Sequence, residues 1–109
     1  VLSGALFDLD KATLHEEAEV LLRKLAQQLT TEFPDTHIQI VGYTDDTGPA
    51  EYNNRLGLRR AESVRAFLAS SGVPESSMTA QSGGENNPVA TNATPEGRQL
   101  NRRVVIQKQ

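Results

Sequence analysis

The apolar positions form two helical patterns set among short β-branched runs. Leu14, Ala18, Leu21, Leu22, Leu25, Leu29 and Phe33 recur at three- and four-residue spacing, which makes one apolar stripe on a helix. Thr13 is placed to cap its start. Phe33-Pro34-Asp35 marks its end, because the residue before a proline is pushed out of helical geometry. A second helical pattern runs from about Asn53 to Ser71 and stops at Gly72, a natural C-terminal cap, with Asn53 or Asn54 available to cap its start.

Around these helices lie four candidate strands, at residues 1–7, 37–43, 78–83 and 103–107. Thr44-Asp45-Asp46-Thr47-Gly48-Pro49 is dense in turn formers and reads as a loop. Residues 83–97 form a polar loop long enough to suspect function. The order β-α-β-α-β-loop-β predicts an α+β domain in which two main helices pack on one face of a mixed four-stranded sheet. At 109 residues the chain fits one such domain, spanning 1–109, with a single core.

Charge and composition narrow the function. The net charge of −3 and pI near 5.3 give no general attraction to nucleic acid or anionic lipid, and the basic residues are scattered. The absence of cysteine removes disulfides and thiolate chemistry while leaving the compartment open. No apolar run approaches the roughly 20 residues that span a bilayer. Since the chain begins at Val1 rather than Met, we expect an excised or processed piece of a longer protein, from which a leader, lipid anchor or membrane helix could have been cut.

One residue breaks the second helical pattern. On a wheel of about 100° per residue with Arg60 at zero, Val64 falls near 40°, Phe67 near −20° and Asn53 near 20°. Arg60 therefore shares the apolar face, whereas Arg55, Arg59, Glu62 and Arg65 fall on its flank or back. A guanidinium in a core needs anionic or carbonyl partners. A structural ion pair, a head group snorkelling outward, and a ligand-binding arginine at a cleft all satisfy that need. Helical side chains lean toward the N-terminus, so a helix starting near Asn53 aims Arg60 back at Asp45 and Asp46. A start at Pro49 would put Arg60 about 15 Å down the axis and too remote. A carboxylate and a guanidinium held close but not pairing directly would suit a zwitterion, the aspartate taking an ammonium and the arginine a carboxylate. Amino-acid termini and the free ends of diaminopimelate side chains in Gram-negative cell wall have this form.

Ordered elements along nearly the whole chain carry a resemblance. They are Phe7-Asp8-Leu9-Asp10, Val41-Gly42-Tyr43-Thr44-Asp45 with Gly48, Tyr52-Asn53 through Leu56 to Arg60-Ala61, Ser82-Gly83-Gly84, Pro88, Asn92, Thr94, Gly97-Arg98 and Asn101-Arg102-Arg103-Val104. In these the chain resembles the OmpA C-terminal-like domain shared by OmpA proteins, the Pal lipoprotein and the stator protein MotB. The resemblance implies a non-enzymatic peptidoglycan-binding module of the periplasm, tethered to a membrane through its parent protein, with no cofactor. It also implies that Asp45 and Arg60 take the ammonium and carboxylate of diaminopimelate, with hydrogen bonds from Thr44 and Asn53. Arg102 would line the pocket, and Asp10 would help through its loop. Three departures from the common pattern stand out: Tyr43 for histidine, Gly57 for serine, and Gly84 for a larger residue. Gly57 lowers helix propensity by about 1 kcal/mol relative to alanine, so the first turns of the helix are expected to fray.

Other chemistries fit poorly. Asp46-Thr47-Gly48 spells the aspartic-protease tripeptide, but such enzymes are nearly all β and here a helix follows. His15 and His37 lack metal-ligand spacing, and no G-x-S-x-G motif is present. The alternative is an envelope protein-interaction or dimerisation module on the same fold with a degenerate wall site.

Overall fold

The computed structural model describes residues 16–32, 36–84, 88 and 90–108. Among the described residues there are three α-helices, α1 (Glu16–Thr31), α2 (Ala50–Ser70) and α3 (Pro95–Asn101), and three strands, β1 (Ile38–Tyr43), β2 (Met78–Gly84) and β3 (Val104–Lys108). The sheet order is β2-β1-β3, with β1 parallel to β2 and antiparallel to β3. It is a mixed sheet, as the sequence suggests, but of three strands among the described residues rather than four. The predicted strand at 1–7, the cap at Thr13 and the helix stop at Phe33-Pro34-Asp35 lie outside the described residues.

One core joins the layers. Leu22, Ala26 and Leu29 of α1, Ala61, Val64 and Leu68 of α2, and Ile38, Ile40, Met78 and Val104 of the sheet are buried together. The α1 stripe is centred on Leu22, Ala26 and Leu29 at i, i+4 and i+7, which leaves Leu21, about 100° away, half exposed. At the end of α2, Gly72 adopts φ of 108°. Its N–H donates to the Ala69 carbonyl and that of Val73 to the Leu68 carbonyl, a Schellman closure whose apolar pair, Leu68 and Val73, enters the core.

Three expectations about α2 and the late loop need correction. The helix begins at Ala50 with Pro49 as its N-cap, and the Asn53 N–H donates to the Pro49 carbonyl. Neither asparagine is the cap, because proline has no N–H to satisfy and its fixed φ already suits a helix entry. Gly57 lies well inside a continuous helix and serves packing. A Cβ there would stand 2.6 Å from the Gly42 carbonyl oxygen, and one on Gly42 would clash with the Gly57 carbonyl. These two glycines let α2 cross the end of β1 in backbone contact. Finally, the polar stretch ends in α3. Thr94 caps it by accepting the Gly97 N–H at 3.0 Å and Pro95 follows at the first helical position, a start signal that the reading of 83–97 as loop passed over.

Candidate ligand-binding site

β1 is the central strand, and its C-terminal end is clamped on both sides. The Tyr43 N–H donates to the Arg103 carbonyl, and the Thr44 N–H to the Gly84 carbonyl, each at 2.7 Å. The loop that follows is thereby launched from a fixed point. Thr44 and Asp45 are each 3% exposed, and the Thr44 hydroxyl donates to the Asp45 carbonyl at 2.9 Å.

The Asp45 carboxylate is the centre of the site. Its Oδ1 accepts the Thr47 N–H at 2.8 Å, and its Oδ2 accepts Arg102 Nη1 at 2.6 Å. Burial alone would raise its pKa. Hydrogen bonds from the Thr47 backbone, the Arg102 guanidinium and the Thr47 hydroxyl, with the charge of Arg102, outweigh burial and hold the carboxyl below the ordinary aspartate value. Asp45 is thus a buried anion at neutral pH. It opens on a cleft of about 430 Å³ lined with Thr47, Pro95, Arg98 and Arg102.

α3 supplies the cationic wall. Arg98 lies within it and Arg102 is its C-cap, four residues on and so on the same side. Asn101 between them is fully buried and tethers the preceding chain: its Nδ2 donates to the Ala90 carbonyl and to Asn92 Oδ1, and its Oδ1 accepts the Ala90 N–H. Arg103 stacks its guanidinium 3.9 Å from the centroid of the Tyr43 ring, which makes Tyr43 a support for the strand junction.

The residues named from the sequence separate into two groups. Asp45 and Arg102 meet in the cleft. Thr44, Asn53 and Arg60 are buried at 3%, 2% and 0% exposure and do not line it. Asp10 lies outside the described residues. The requirement that α2 start near Asn53 is not met, since the helix begins three residues earlier. β1 does not end at the N-terminus of α2. Instead β1 crosses α2 at Gly57 and Ala61, on the face that carries Arg60. Asp45 follows Gly42 by three residues, at most about 10 Å of extended chain, so a start at Ala50 does not make Arg60 remote. The sequence reading omitted Thr47, Pro95 and Arg98 from the site. The Thr94-Pro95-Glu96-Gly97-Arg98 signal of a capped helix was available to find Pro95 and Arg98.

The fold and motifs agree with the comparisons. The OmpA family profile matches residues 6–102, and the chain belongs to the OmpA family. Outer membrane protein A of Bordetella avium is 45% identical over 101 residues, 93% of this chain and 52% of that protein. The chain thus spans about half the length of that relative. The peptidoglycan-associated lipoprotein from Burkholderia pseudomallei superposes with a TM-score of 0.90 at 37% identity, covering 99% of this chain and 88% of that one. The cell wall anchor of the T6SS from Pseudomonas aeruginosa gives a TM-score of 0.82 at 32% identity, covering 95% of this chain and 75% of that one.

Proposed function

We propose that this domain binds peptidoglycan non-covalently in the periplasm, through the free zwitterionic end of diaminopimelate, and so anchors its parent protein to the cell wall. The observation that carries the reading is a buried, ionised Asp45 opening on an arginine-walled cleft, in a chain whose relatives are named for the wall and outer membrane. Asp45 takes the ammonium. Among the described residues it accepts three hydrogen bonds, from the Thr47 N–H, the Thr47 hydroxyl and Arg102, and a carboxylate has about four acceptor positions, so one remains for an ammonium.

Arg60 takes the ligand carboxylate, with Thr44 and Asn53 adding hydrogen bonds, Arg102 forming the wall, and Asp10 contributing from its loop. Because Arg60 is fully buried, this contact requires the groups that cover it to move. The family membership and the helix–strand crossing support its place near the site. Full burial supports its selection as the cation whose loss the fold would feel.

Co-sedimentation with purified sacculi tests the reading. Asp45→Ala and Arg60→Ala are each expected to weaken binding by about 1.5–3 kcal/mol, roughly ten- to hundredfold. Diaminopimelate-type wall is expected to bind, and lysine-type wall, which lacks the side-chain carboxylate, to bind far less. Equal binding to both wall types contradicts the site. A thermal melt accompanies Arg60→Ala, since loss of a fully buried side chain also destabilises the fold.

A further inference from the structure

We propose that Arg98 is a second carboxylate-binding residue of the cleft, so that the chain reads a ligand carrying one ammonium and two carboxylates rather than a lone zwitterion. This rests on the reading of Asp45 as the ammonium site.

Among the described residues, the charges lining the cleft do not balance. Asp45 and Arg102 cancel as a 2.6 Å ion pair, and Thr47 and Pro95 are neutral, which leaves the charge of Arg98. Arg98 Nη1 donates to the Asn92 carbonyl at 2.9 Å, and among the described residues no carboxylate pairs with it. One carbonyl satisfies one of five guanidinium N–H groups and none of the charge. Asp46 and Glu96, the acids closest in sequence to the lining residues, are exposed and stand outside the lining.

This part-buried cation is held in place. The Asn92 carbonyl that orients it belongs to a segment pinned through Asn101, and the start of α3 is fixed by the Thr94 cap and by Gly97, where any Cβ would clash with the Thr91 carbonyl. A guanidinium whose orientation is set in advance loses little entropy on clamping a carboxylate. Its neighbour on the same side, Arg102, already touches Asp45. A second carboxylate at Arg98 would therefore sit about one helical turn from the ammonium site. A γ-glutamyl-diaminopimelate segment carries this pattern, with the extra carboxylate supplied by either the glutamyl α-carboxyl or the stem-side carboxyl of diaminopimelate.

Titration calorimetry with synthetic γ-D-glutamyl-meso-diaminopimelate decides the matter, using the free acid and two singly amidated forms, each keeping the zwitterionic end. Wild type is expected to lose about tenfold in affinity for one amide, which identifies the carboxylate read. Arg98→Gln should bind the free acid only as well as wild type binds that amide, with no further loss on amidation. Arg98→Lys, keeping charge but not the fork, should fall between. Arg98→Gln weakening all three forms equally, or retaining the preference, overturns the proposal. Wild type binding all three equally while Asp45→Ala binds none overturns Arg98 alone. No binding by wild type, or undiminished binding by Asp45→Ala, overturns the wall-binding reading itself.

Discussion

Replacing Gly57 with alanine sets two effects of opposite sign against each other. Alanine is the better helix former by about 1 kcal/mol, so α2 considered alone gains stability. The crossing with β1 opposes that gain, because the new Cβ would stand 2.6 Å from both the Gly42 carbonyl oxygen and Ser82 Oγ. The serine hydroxyl can turn aside. The strand carbonyl cannot, since β1 is paired to β2 on one edge and β3 on the other. Restoring an ordinary contact separates helix and strand by roughly 0.5–1 Å, which a close-packed core resists. Overpacking costs about 1–3 kcal/mol, so the expected net loss is about 1 kcal/mol, or about 4 °C in Tm for a domain of this size. Gly42→Ala has no helix gain to offset its clash. Its Cβ would stand 1.9 Å from the Gly57 carbonyl oxygen and 3.2 Å from the Ala61 nitrogen, all main chain, and a loss of about 3 kcal/mol or more is expected. Urea unfolding followed by far-ultraviolet circular dichroism, with thermal melts, measures both. A Gly57→Ala variant more stable than wild type, or a neutral Gly42→Ala, would refute the crossing as the reason for these glycines.

Asp45 has its folded-state pKa held below the unfolded value, so its contribution to stability is complete above about pH 4 and is lost as pH falls through the depressed value. Asp45→Asn is therefore expected to flatten the decline of stability below about pH 4, and an unchanged acid limb in pH-dependent urea titrations would count against the ion pair. Thr94→Ala removes the α3 cap and is expected to cost about 1 kcal/mol, with faster amide exchange at Gly97 than in wild type. Gly72→Ala forces a side chain into φ of 108° and is expected to lower stability by about 1 kcal/mol or more, read as a fall in the urea midpoint.

The route from sequence to site shows where local rules stop. Arg60 was conspicuous because a helix wheel needs only residue spacing, and it is fully buried on α2. Arg98 sits in the capped-helix signal Thr94-Pro95-Glu96-Gly97-Arg98, but that signal marks a helix start and says nothing of a charge facing a cleft. Its importance comes from Asp45 pairing with Arg102, across 57 residues, which leaves Arg98 as the remaining charge among the described lining residues. The start of α2 was misjudged for a similar reason, since asparagines are good caps in isolation and here one is used for burial instead.

By itself the sequence determined the periodic elements: the α1 stripe, the body of α2 with its Gly72 stop, and the short β-branched strands. These follow from spacing and backbone chemistry that act over a few residues. The motif residues also sufficed to imply the family. Only the tertiary structure decided that Gly42 and Gly57 exist for one another, that α3 forms a cationic wall, and that Asp45 pairs with Arg102. Contacts between residues far apart in sequence depend on how helices and strands cross, and the crossing is set by the packing of the whole core.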